Sequence, residues 1–403
     1  MKYYKRQLTN LLKRAVKTFP AVIVTGPRQS GKTTLLKKEF GEKAGFVSLE
    51  QPDKRLWAAE DPVGFLENYT PPVIIDEFQY VPGLLPYIKE KIDARRIPGS
   101  YFLTGSQQFN IMKNVSESLA GRAAITSLLP FSISELKQEL YGSWEEWFKD
   151  LFSATGKAVK GTQGEIIING FYPEIANNKQ VDRNLWFSSY TQTYLERDIK
   201  TLYDIGNLNN FSKFTSLLAA RCGSILNYSS FASDIGVSVP TIKNWFSILE
   251  ASFIVFKIMP YHKNSGKRII KAPKFYFFDT GLAAHLAGIN SPEYLVRSSI
   301  GGQYFENMVM SEFMKNRLSH NENINHFYLN QRNLWEIDLL IERNLSLIPI
   351  EIKLTGTVSG AHLENFGKLR DLLNNIADDN YLVCGADESI KMGNSRITSW
   401  RYL

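Results

Sequence analysis

The chain has 403 residues, of which 44% are hydrophobic and 22% are charged, and its formal net charge is +7. This length suggests two or three domains, and the composition is typical of soluble globular proteins, which argues against disordered, collagen-like and coiled-coil chains. Two cysteines are too few for a disulfide framework or a cysteine-rich zinc site. No apolar stretch approaches the length of about 18 residues that a membrane span needs, and residues 1–14 lack the apolar core of a signal peptide. We therefore expect a cytoplasmic protein without a membrane partner.

Residues 1–135 alternate short β-rich apolar runs with helical patterns. The runs that we predict to be strands are 21–25, 45–49, 73–75, 101–103 and 124–128. This alternation is typical of an α/β fold in which helices cover a parallel sheet. We therefore predict that the first domain contains such a sheet.

A phosphate-binding pattern lies between the first predicted strand and the next helix. It fits G-x-x-x-x-G-K-[ST] with Gly26, Pro27, Arg28, Gln29, Ser30, Gly31, Lys32 and Thr33, and Thr34 follows. Glycines let the backbone wrap phosphate groups so that its N–H groups point inward at a helix N-terminus. Lys32 is expected to reach the β and γ phosphates, and Thr33 is expected to bind Mg²⁺. A glycine turn with a chance lysine is the alternative.

A second element supports the phosphate loop, because the apolar run 73–75 is followed by Asp76 and Glu77. In open α/β folds, ligands bind at the carboxyl ends of the strands. Asp76 is therefore expected to hold Mg²⁺ through its water shell, and Glu77 to act on the water that attacks the γ phosphate. Thr104 and Ser106 end another strand and are expected beside the nucleotide. The two elements together predict ATP and Mg²⁺ as ligands.

Hydrolysis also needs charge stabilisation at the γ phosphate. Arg122 is a candidate arginine finger, acting in cis or from a neighbouring subunit of a homo-oligomer. A surface ion pair is the alternative for this residue.

The motifs at 26–36, 76–79, 103–106, 118–122 and 129–132 resemble those of AAA-superfamily ATPases of bacteria and archaea that carry an uncharacterised C-terminal domain of nuclease-like fold. Motifs at 172–174, 194–199 and 275–282 are also similar to that family, although their residue types indicate no chemistry. The resemblance covers nearly the whole chain and implies an AAA-type ATP-binding domain over residues 1–135.

The middle of the chain is predicted to be helical and then to form a winged helix. We expect a helical linker or lid over residues 136–220 and a winged-helix domain over residues 221–295. The prediction of the winged-helix domain is based on two short helices within 233–250, followed by hairpin strands at 253–261 and 268–278.

The winged helix offers a surface to DNA. Its second helix would present Thr241, Lys243 and Asn244 to a groove, and its basic hairpin, with Lys267 and Arg268, would neutralise phosphates. The alternative is a protein-docking module whose charged hairpin is merely solvated.

The last domain, residues 296–403, combines three carboxylates and a lysine. Glu306 lies on a predicted helix, Asp338 on a strand, and Glu351 and Lys353 two positions apart on the next strand, which places both on one face. A turn at 342–344 would bring Asp338 to Glu351. Carboxylate oxygens suit Mg²⁺, with Asp338 and Glu351 as the expected ligands, while Lys353 can orient water or steady a phosphate.

The order of helix, three strands, helix and strand, with Asp followed by Glu-x-Lys, resembles the PD-(D/E)XK nuclease superfamily. That resemblance implies an α/β domain of restriction-endonuclease-like fold and metal-dependent cleavage by Glu306, Asp338, Glu351 and Lys353. Paired charges on an edge hairpin are the alternative, and the net charge of −3 over residues 301–403 fits poorly with a domain that grips DNA.

The sequence supports two alternative functions. The first is an ATP-hydrolysing protein whose nucleotide state controls its engagement of nucleic acid, with metal-dependent nuclease activity as an addition. The second is an ATP-dependent switch or docking module whose nuclease-like domain is catalytically inactive.

Overall fold

The N-terminal domain is built on a five-stranded sheet. The computed structural model describes residues 3–106, 119–178, 180–193, 207–262, 272–322, 324–331 and 334–403. The strands are β1 Ala21–Thr25, β2 Gly45–Ser48, β3 Val73–Asp76, β4 Tyr101–Gly105 and β5 Ala123–Ser127. They pair in the order β2-β3-β4-β1-β5, all in parallel. The predicted parallel sheet is confirmed, with strand ends within two residues of those expected.

Helices cover both faces of this sheet. They are α1 Thr9–Thr18, α2 Lys32–Phe40, α3 Pro52–Glu60, α4 Pro62–Asn68 and α5 Leu84–Ala94. Along β1, Val22 and Val24 pack with α1 and α2 on one face, whereas Ile23 packs with α3, α4 and α5 on the other. The strands β1, β3 and β4 are therefore buried along their whole length, as central parallel strands are. Their carboxyl ends meet at one edge of the sheet.

A helical region follows. It contains α6 Ile133–Lys137, α7 Trp144–Ser153, α8 Gln163–Asn169, α9 Pro173–Asn177, α10 Arg183–Tyr190 and α11 Leu208–Ala220. The helix α6 ends at Lys137, where Gln138 adopts a left-handed conformation with φ of 55°. Residues 194–206, which belong to the predicted helical linker, lie outside the described residues.

Two helices and a hairpin come next. They are α12 Tyr228–Ile235, α13 Val239–Ala251, β6 Val255–Pro260 and β7 Lys274–Phe277. Gly236 ends α12 in a left-handed conformation, and the Ser238 side chain caps α13 by accepting a hydrogen bond from the N–H of Thr241. The strands β6 and β7 pair antiparallel, and residues 263–271 between them lie outside the described residues.

The hairpin is part of a larger sheet with the C-terminal strands. These are β8 Asn325–Gln331, β9 Trp335–Arg343, β10 Ser346–Lys353, β11 Asn380–Cys384, β12 Ile390–Met392 and β13 Ser395–Ser399. The eight strands pair in the order β12-β13-β11-β10-β9-β8-β6-β7. Since β6 pairs with β8, this sheet runs across the boundary predicted near residue 295.

One of the remaining helices is central to the C-terminal half of the fold. These helices are α14 Thr280–Leu286, α15 Pro292–Arg297, α16 Gly301–His320 and α17 Glu364–Leu372. Most residues of α16 are buried, because it lies between the C-terminal sheet and the helical region. No helix within the described ranges combines the length and the apolarity needed to cross a membrane.

The predicted order of helix, three strands, helix and strand, in which a single strand follows the last helix, is wrong. Two further strands, β12 and β13, follow β11. The sequence of β13 is Ser-Arg-Ile-Thr-Ser, with Ile397 as its one apolar residue, so no apolar run marks it. The strand is held by pairing with β11 and by Thr398, whose hydroxyl group donates to the carbonyl of Leu151 at 2.7 Å.

Candidate functional site

The loop between β1 and α2 folds around the side chain of Lys32. The Lys32 Nζ donates hydrogen bonds to the carbonyl oxygens of Gly26 at 3.0 Å and Pro27 at 2.8 Å. Gly26 has a φ of 145°, and a Cβ there would lie 2.1 Å from the carbonyl oxygen of Leu128, so the position requires glycine. Burial lowers the pKa of Lys32, while Glu77 and Asp76 oppose that shift. A buried ammonium group bonded to carbonyl oxygens gains from an anion placed at the loop.

Asp76 joins three hydroxyl groups at the carboxyl edge of the sheet. Its Oδ1 accepts hydrogen bonds from Thr33 Oγ1 and Thr104 Oγ1, both at 2.6 Å, and its Oδ2 accepts from Ser48 Oγ at 3.3 Å. These groups come from α2, β4 and β2, which the parallel strand order brings together. Hydroxyl and carboxylate oxygens are ligands that Mg²⁺ takes in proteins. The structure therefore brings the two expected metal-binding residues, Thr33 and Asp76, into contact.

Glu77 is fixed by its backbone and by its carboxylate. Its φ of 54° is unusual for a residue with a Cβ, and its N–H donates to Thr104 Oγ1 at 3.1 Å. Its Oε2 accepts from Ser106 Oγ at 3.3 Å and from the side-chain amide of Gln79. Thr104 thus contacts both carboxylate residues, and Ser106 contacts the second of them.

These side chains line a pocket of about 210 Å³. Its lining residues are Arg28, Gln29, Gly31, Lys32, Thr33, Thr34, Glu50, Asp76 and Glu77.

Sequence reasoning missed Glu50, although its place shortly after β2 is the same signal that singled out Asp76. Burial and the carboxylate of Glu77 raise the pKa of Glu50. Arg28 lies 4.0 Å from Glu50 and donates to Tyr80 Oη at 3.0 Å, so Arg28 and Lys32 both bring positive charge to this pocket.

Arg122 lies at the opposite edge of the sheet. Its carbonyl oxygen accepts a hydrogen bond from the N–H of Ala21, at the beginning of β1, whereas the phosphate loop follows the end of β1. A strand of this length spans roughly 13 Å at about 3.3 Å per residue. The guanidinium group makes two contacts with Asp93, at 2.5 and 2.9 Å. In this structure Arg122 therefore forms a surface ion pair away from the phosphate loop of its own chain, and its role as an arginine finger stays a prediction.

Asp338, Glu351 and Lys353 meet on one face of β9 and β10. The Lys353 Nζ lies 2.9 Å from Asp338 Oδ2 and 2.7 Å from Glu351 Oε2. Asp338 Oδ2 also accepts from the N–H of Ile352 at 2.8 Å. The antiparallel register of the two strands brings these residues together.

Glu306 on α16 is held by residues that sequence reasoning did not assign to this site. Lys274 Nζ lies 3.1 Å from Glu306 Oε1 and 2.5 Å from Glu336 Oε1, and Tyr276 Oη donates to Glu306 Oε1 at 2.6 Å. Lys274 and Tyr276 lie two apart on β7, so they share a face, which is the signal that could have found them. The site therefore includes a strand from before the predicted last domain.

We call this set the charged cluster and define it as Lys274, Glu306, Glu336, Asp338, Glu351 and Lys353. Burial raises the pKa of Glu306 and of Glu351, and the neighbouring Asp338 raises both further. Burial alone would raise the pKa of Asp338, yet Lys353 and Lys274 hold it below its usual value. Within the described residues, no group of three or more carboxylate, histidine or cysteine side chains is placed to hold a metal ion. The expected third carboxylate, Glu306, instead contacts Lys274 and Tyr276.

The expected DNA-binding residues of α13 are partly exposed. Lys243 and Asn244 are exposed, while Thr241 is half-buried and its hydroxyl group lies 2.8 Å from Ser238 Oγ. The Lys243 Nζ lies 5.7 Å from the centre of the Tyr228 ring. Lys267 and Arg268 of the hairpin lie outside the described residues.

Two motifs that had no assigned chemistry contact each other. Asp279 caps α14 by accepting from the N–H of Leu282 at 2.7 Å, and it also accepts from the N–H of Phe171 at 2.6 Å. A Cβ on Gly170 would lie 2.5 Å from Asp279 Oδ1, so the turn between α8 and α9 fits closely against α14. These motifs therefore fix the position of α9. The motif at 194–199 lies outside the described residues.

Comparison with known proteins assigns the first domain. Residues 18–137 match the model of a family described as AAA domain, and residues 162–293 and 301–403 match models described as domains of unknown function, DUF8612 and DUF4143. An uncharacterized protein of Mycobacterium tuberculosis is 27% identical over 88% of this chain and 75% of its own length. An uncharacterized protein of Methanocaldococcus jannaschii is 23% identical over 87% of this chain and 79% of its own length.

Among solved structures, a Walker-type ATPase of Pyrococcus abyssi is 13% identical to this chain, with a TM-score of 0.45. The match covers 70% of this chain and 96% of the Pyrococcus chain. The assignment rests on the matched family model, the phosphate loop and the parallel sheet. Residues 18–137 of this chain form a P-loop AAA-type ATPase domain, which binds ATP.

Proposed function

We propose that this chain hydrolyses ATP, with Mg²⁺, in the pocket between the ends of β1 and β3, and that its nucleotide state controls its engagement of DNA. One observation supports the proposal of ATP hydrolysis: two adjacent carboxylates are held in different ways at the phosphate loop. Asp76 is bonded to Thr33 and Thr104, whereas Glu77 is bonded to Ser106 and Gln79. One carboxylate is therefore available for a metal ion and the other for water.

The residues of the pocket have different roles in the proposed reaction. Lys32 would contact the β and γ phosphates, and Thr33 would hold the metal ion together with Asp76, which would act through the ion's water shell. When bound, the ion neutralises phosphate charge and polarises the γ phosphate. Thr104 fixes the positions of Asp76 and Glu77 relative to each other, because its hydroxyl group donates to Asp76 and accepts from the N–H of Glu77.

Glu77 orients the attacking water and accepts its proton. Its left-handed backbone and its contact with Ser106 hold the carboxylate at the pocket. Arg28 supplies positive charge beside Lys32, which is the contribution that Arg122 does not make in cis. If Arg122 contributes, it does so to the pocket of another subunit, which requires a homo-oligomer.

ATP binding and turnover in paired variants test this proposal. Lys32→Ala should abolish ATP binding, whereas Glu77→Gln should retain binding and lose turnover by about two orders of magnitude or more, as loss of a general base does. Lys43→Ala and Glu42→Gln, at exposed positions after α2, are the matched controls and should behave as wild type. Normal turnover by Glu77→Gln would show that this carboxylate is not the base.

Engagement of DNA is supported by the exposed Lys243 and Asn244 on α13, by the basic hairpin sequence and by the overall charge of +7. ATP turnover measured with duplex DNA, single-stranded DNA and RNA tests it. We expect stimulation by DNA that weakens steeply with salt and is reduced in Lys243→Ala. Stimulation by RNA alone, or by none of the three, would contradict this proposal.

A second candidate function is metal-dependent cleavage of DNA at the charged cluster. The observation that favours it is the meeting of Asp338, Glu351 and Lys353 on one face. The carboxylate oxygens suit a divalent ion, which would supply an activated water there. Lys353 would stabilise the phosphate, and Glu306 would contribute through α16.

Plasmid nicking with Mg²⁺ or Mn²⁺, with and without ATP, tests this candidate. Lys353→Ala should abolish nicking and leave ATP affinity unchanged, while Lys368→Ala, at an exposed position on α17, should nick as wild type does. The absence of nicking under all these conditions would leave the second function from the sequence, an ATP-dependent switch whose C-terminal domain is a scaffold.

A further inference from the structure

The turn after β3 places the side-chain amide of Gln79 beside Glu77. Glu77 has a left-handed backbone, and a single turn of 3-10 helix follows it. Phe78 is buried with α5 in the core, and the hydroxyl group of Tyr80 accepts a hydrogen bond from Arg28 at 3.0 Å. Gln79 lies between these two anchored residues, so its position relative to the Glu77 carboxylate is fixed.

Both N–H groups of the Gln79 amide have partners. Its Nε2 donates to Glu77 Oε2 and to Ser106 Oγ, the second at 3.2 Å. An ionised carboxylate only accepts hydrogen bonds, so the nitrogen of the amide, and not its oxygen, faces Glu77. The orientation of the Gln79 amide is therefore determined by its partners.

The oxygen of this amide, Gln79 Oε1, is buried and has no hydrogen-bond partner among the described residues. A buried carbonyl group without a partner costs free energy, and folded proteins contain few of them. The oxygen and nitrogen of an amide share one carbon, so Oε1 lies within roughly 5 Å of Glu77 Oε2. A water molecule that donates both of its O–H groups at about 2.8 Å needs two acceptors roughly 4.5 Å apart. Gln79 Oε1 and the Glu77 carboxylate are therefore close enough to share one water molecule.

We propose that Gln79 Oε1 is a second acceptor for the water that attacks the γ phosphate of ATP. This inference rests on the ATP hydrolysis proposed above and adds a residue to it. One O–H group of the water donates to the Glu77 carboxylate, and the other donates to Gln79 Oε1. With both O–H groups bound to the protein, a lone pair of the water oxygen is directed at the γ phosphorus, as in-line displacement requires.

The two residues have different parts in the displacement. The water oxygen forms a bond to the γ phosphorus, the bond from that phosphorus to the oxygen of the β phosphate breaks, and ADP leaves. The proton directed at Glu77 passes to its carboxylate, and the proton directed at Gln79 stays on the product, inorganic phosphate. Gln79 neither takes nor gives a proton, so it acts by orienting the water.

Turnover and the trapping of metal fluorides by the full chain test the proposal. Gln79→Met has a side chain of similar length without an amide. It should lower kcat about tenfold to a hundredfold with little change in KM for ATP, as the loss of one buried hydrogen bond does. ADP with beryllium fluoride mimics bound ATP, whereas ADP with aluminium fluoride mimics the transition state. Gln79→Met should weaken the aluminium fluoride complex by the same factor as kcat and leave the beryllium fluoride complex unchanged.

Two further variants complete this experiment. Gln79→Lys keeps a donor to Glu77 and lacks the acceptor, so it should lose turnover as Gln79→Met does. Gln303→Met, at an exposed position on α16, is the matched control and should behave as wild type. Turnover at the wild-type level in either variant of Gln79, or equal weakening of the two fluoride complexes, would overturn the proposal.

The outcomes separate this inference from the proposal on which it rests. If Glu77→Gln loses turnover while Gln79→Met turns over as wild type does, the role of Gln79 is wrong and that of Glu77 stands. If Glu77→Gln turns over normally, or if the wild-type chain does not hydrolyse ATP, the proposed hydrolysis itself is wrong, and the role of Gln79 with it.

Discussion

The nucleotide pocket and the charged cluster both bring lysines and carboxylates together, but they satisfy these groups differently. In the pocket, Lys32 is bonded to backbone carbonyls and Asp76 to hydroxyl groups. In the charged cluster, Lys353 is paired with Asp338 and Glu351, at 2.9 and 2.7 Å. Lysine and carboxylate therefore make contacts with neutral groups in the first region and with each other in the second.

The difference indicates which region is prepared for a charged ligand. A lysine bonded to neutral groups keeps its attraction for phosphate, and a carboxylate bonded to hydroxyl groups keeps its attraction for a cation. A buried ion pair has already compensated the cost of burying its own charges, and removal of one partner leaves the other charge exposed to that cost. The comparison therefore predicts effects on function in the pocket and on stability in the charged cluster.

The largest effect expected is the loss of stability in Lys274→Met. This change leaves Glu306 and Glu336 without their shared ammonium group, and breaking a buried ion pair costs about 3 kcal/mol of the free energy of unfolding. Lys32→Met, which removes a buried ammonium group from neutral partners, should leave stability near that of wild type. Urea unfolding followed by circular dichroism measures both. Equal stability of Lys274→Met and wild type would break the comparison.

A smaller effect is expected from Thr104→Val in the pocket. The change removes the hydroxyl group that contacts Asp76 and leaves the buried N–H of Glu77 without its acceptor. Leaving a buried hydrogen-bonding group without its partner costs about 1–3 kcal/mol of free energy. ATP turnover should therefore fall about tenfold to a hundredfold, with little change in ATP affinity. Thr104→Ser keeps the hydroxyl group and should restore turnover, and failure of that rescue would argue against the hydrogen bonds as the cause.

Glu351→Gln tests the electrostatics of the charged cluster through pH. Burial and Asp338 raise the pKa of Glu351, so the folded state binds this proton more tightly than the unfolded state, and the contribution to stability falls as pH rises toward the folded pKa. Glutamine resembles the protonated form. The variant should therefore gain stability relative to wild type as pH rises above the unfolded pKa of glutamate toward the raised folded pKa, by at most about 1.4 kcal/mol per pH unit.

The pH range of that measurement lies above the transition of Asp338. The pKa of Asp338 is lowered in the folded state, so its contribution to stability is present above its unfolded pKa and is lost only as pH falls through the folded pKa. Chemical unfolding at several pH values gives the difference between variant and wild type. A difference that stays constant with pH would contradict the raised pKa of Glu351.

The smallest effect is expected from Arg122→Ala. Arg122 pairs with Asp93 at the surface and lies at the edge of the sheet opposite the pocket. Exposed ion pairs contribute little to stability, so thermal unfolding and ATP turnover at low protein concentration should match wild type. A loss of turnover that appears only at high protein concentration would instead indicate a role in trans in a homo-oligomer.

Much of the nucleotide pocket could be predicted because its residues lie in short segments next to buried strands. The apolar runs mark β1 and β3, and Lys32, Thr33, Asp76 and Glu77 follow directly from their ends. Glu50 was missed because it lies two residues beyond the end of β2, whereas Asp76 ends β3 and Glu77 follows it directly. The position of Arg122, away from the phosphate loop of its own chain, could not be predicted because sequence order does not indicate at which edge of a sheet a residue lies.

The pattern of residues along the chain was enough to predict the parallel sheet of the first domain, the phosphate loop and the hairpin that joins Asp338 to Glu351. These features depend on spacing within a few residues, and a strand or a helix fixes such spacing locally. The contacts of Lys274 and Tyr276 with Glu306, and the position of Asn177 beside the phosphate loop, could be seen only in the folded chain. Those contacts join segments that are far apart in the chain, and the packing of β7 on α16 and of α9 against the ATPase domain brings them together.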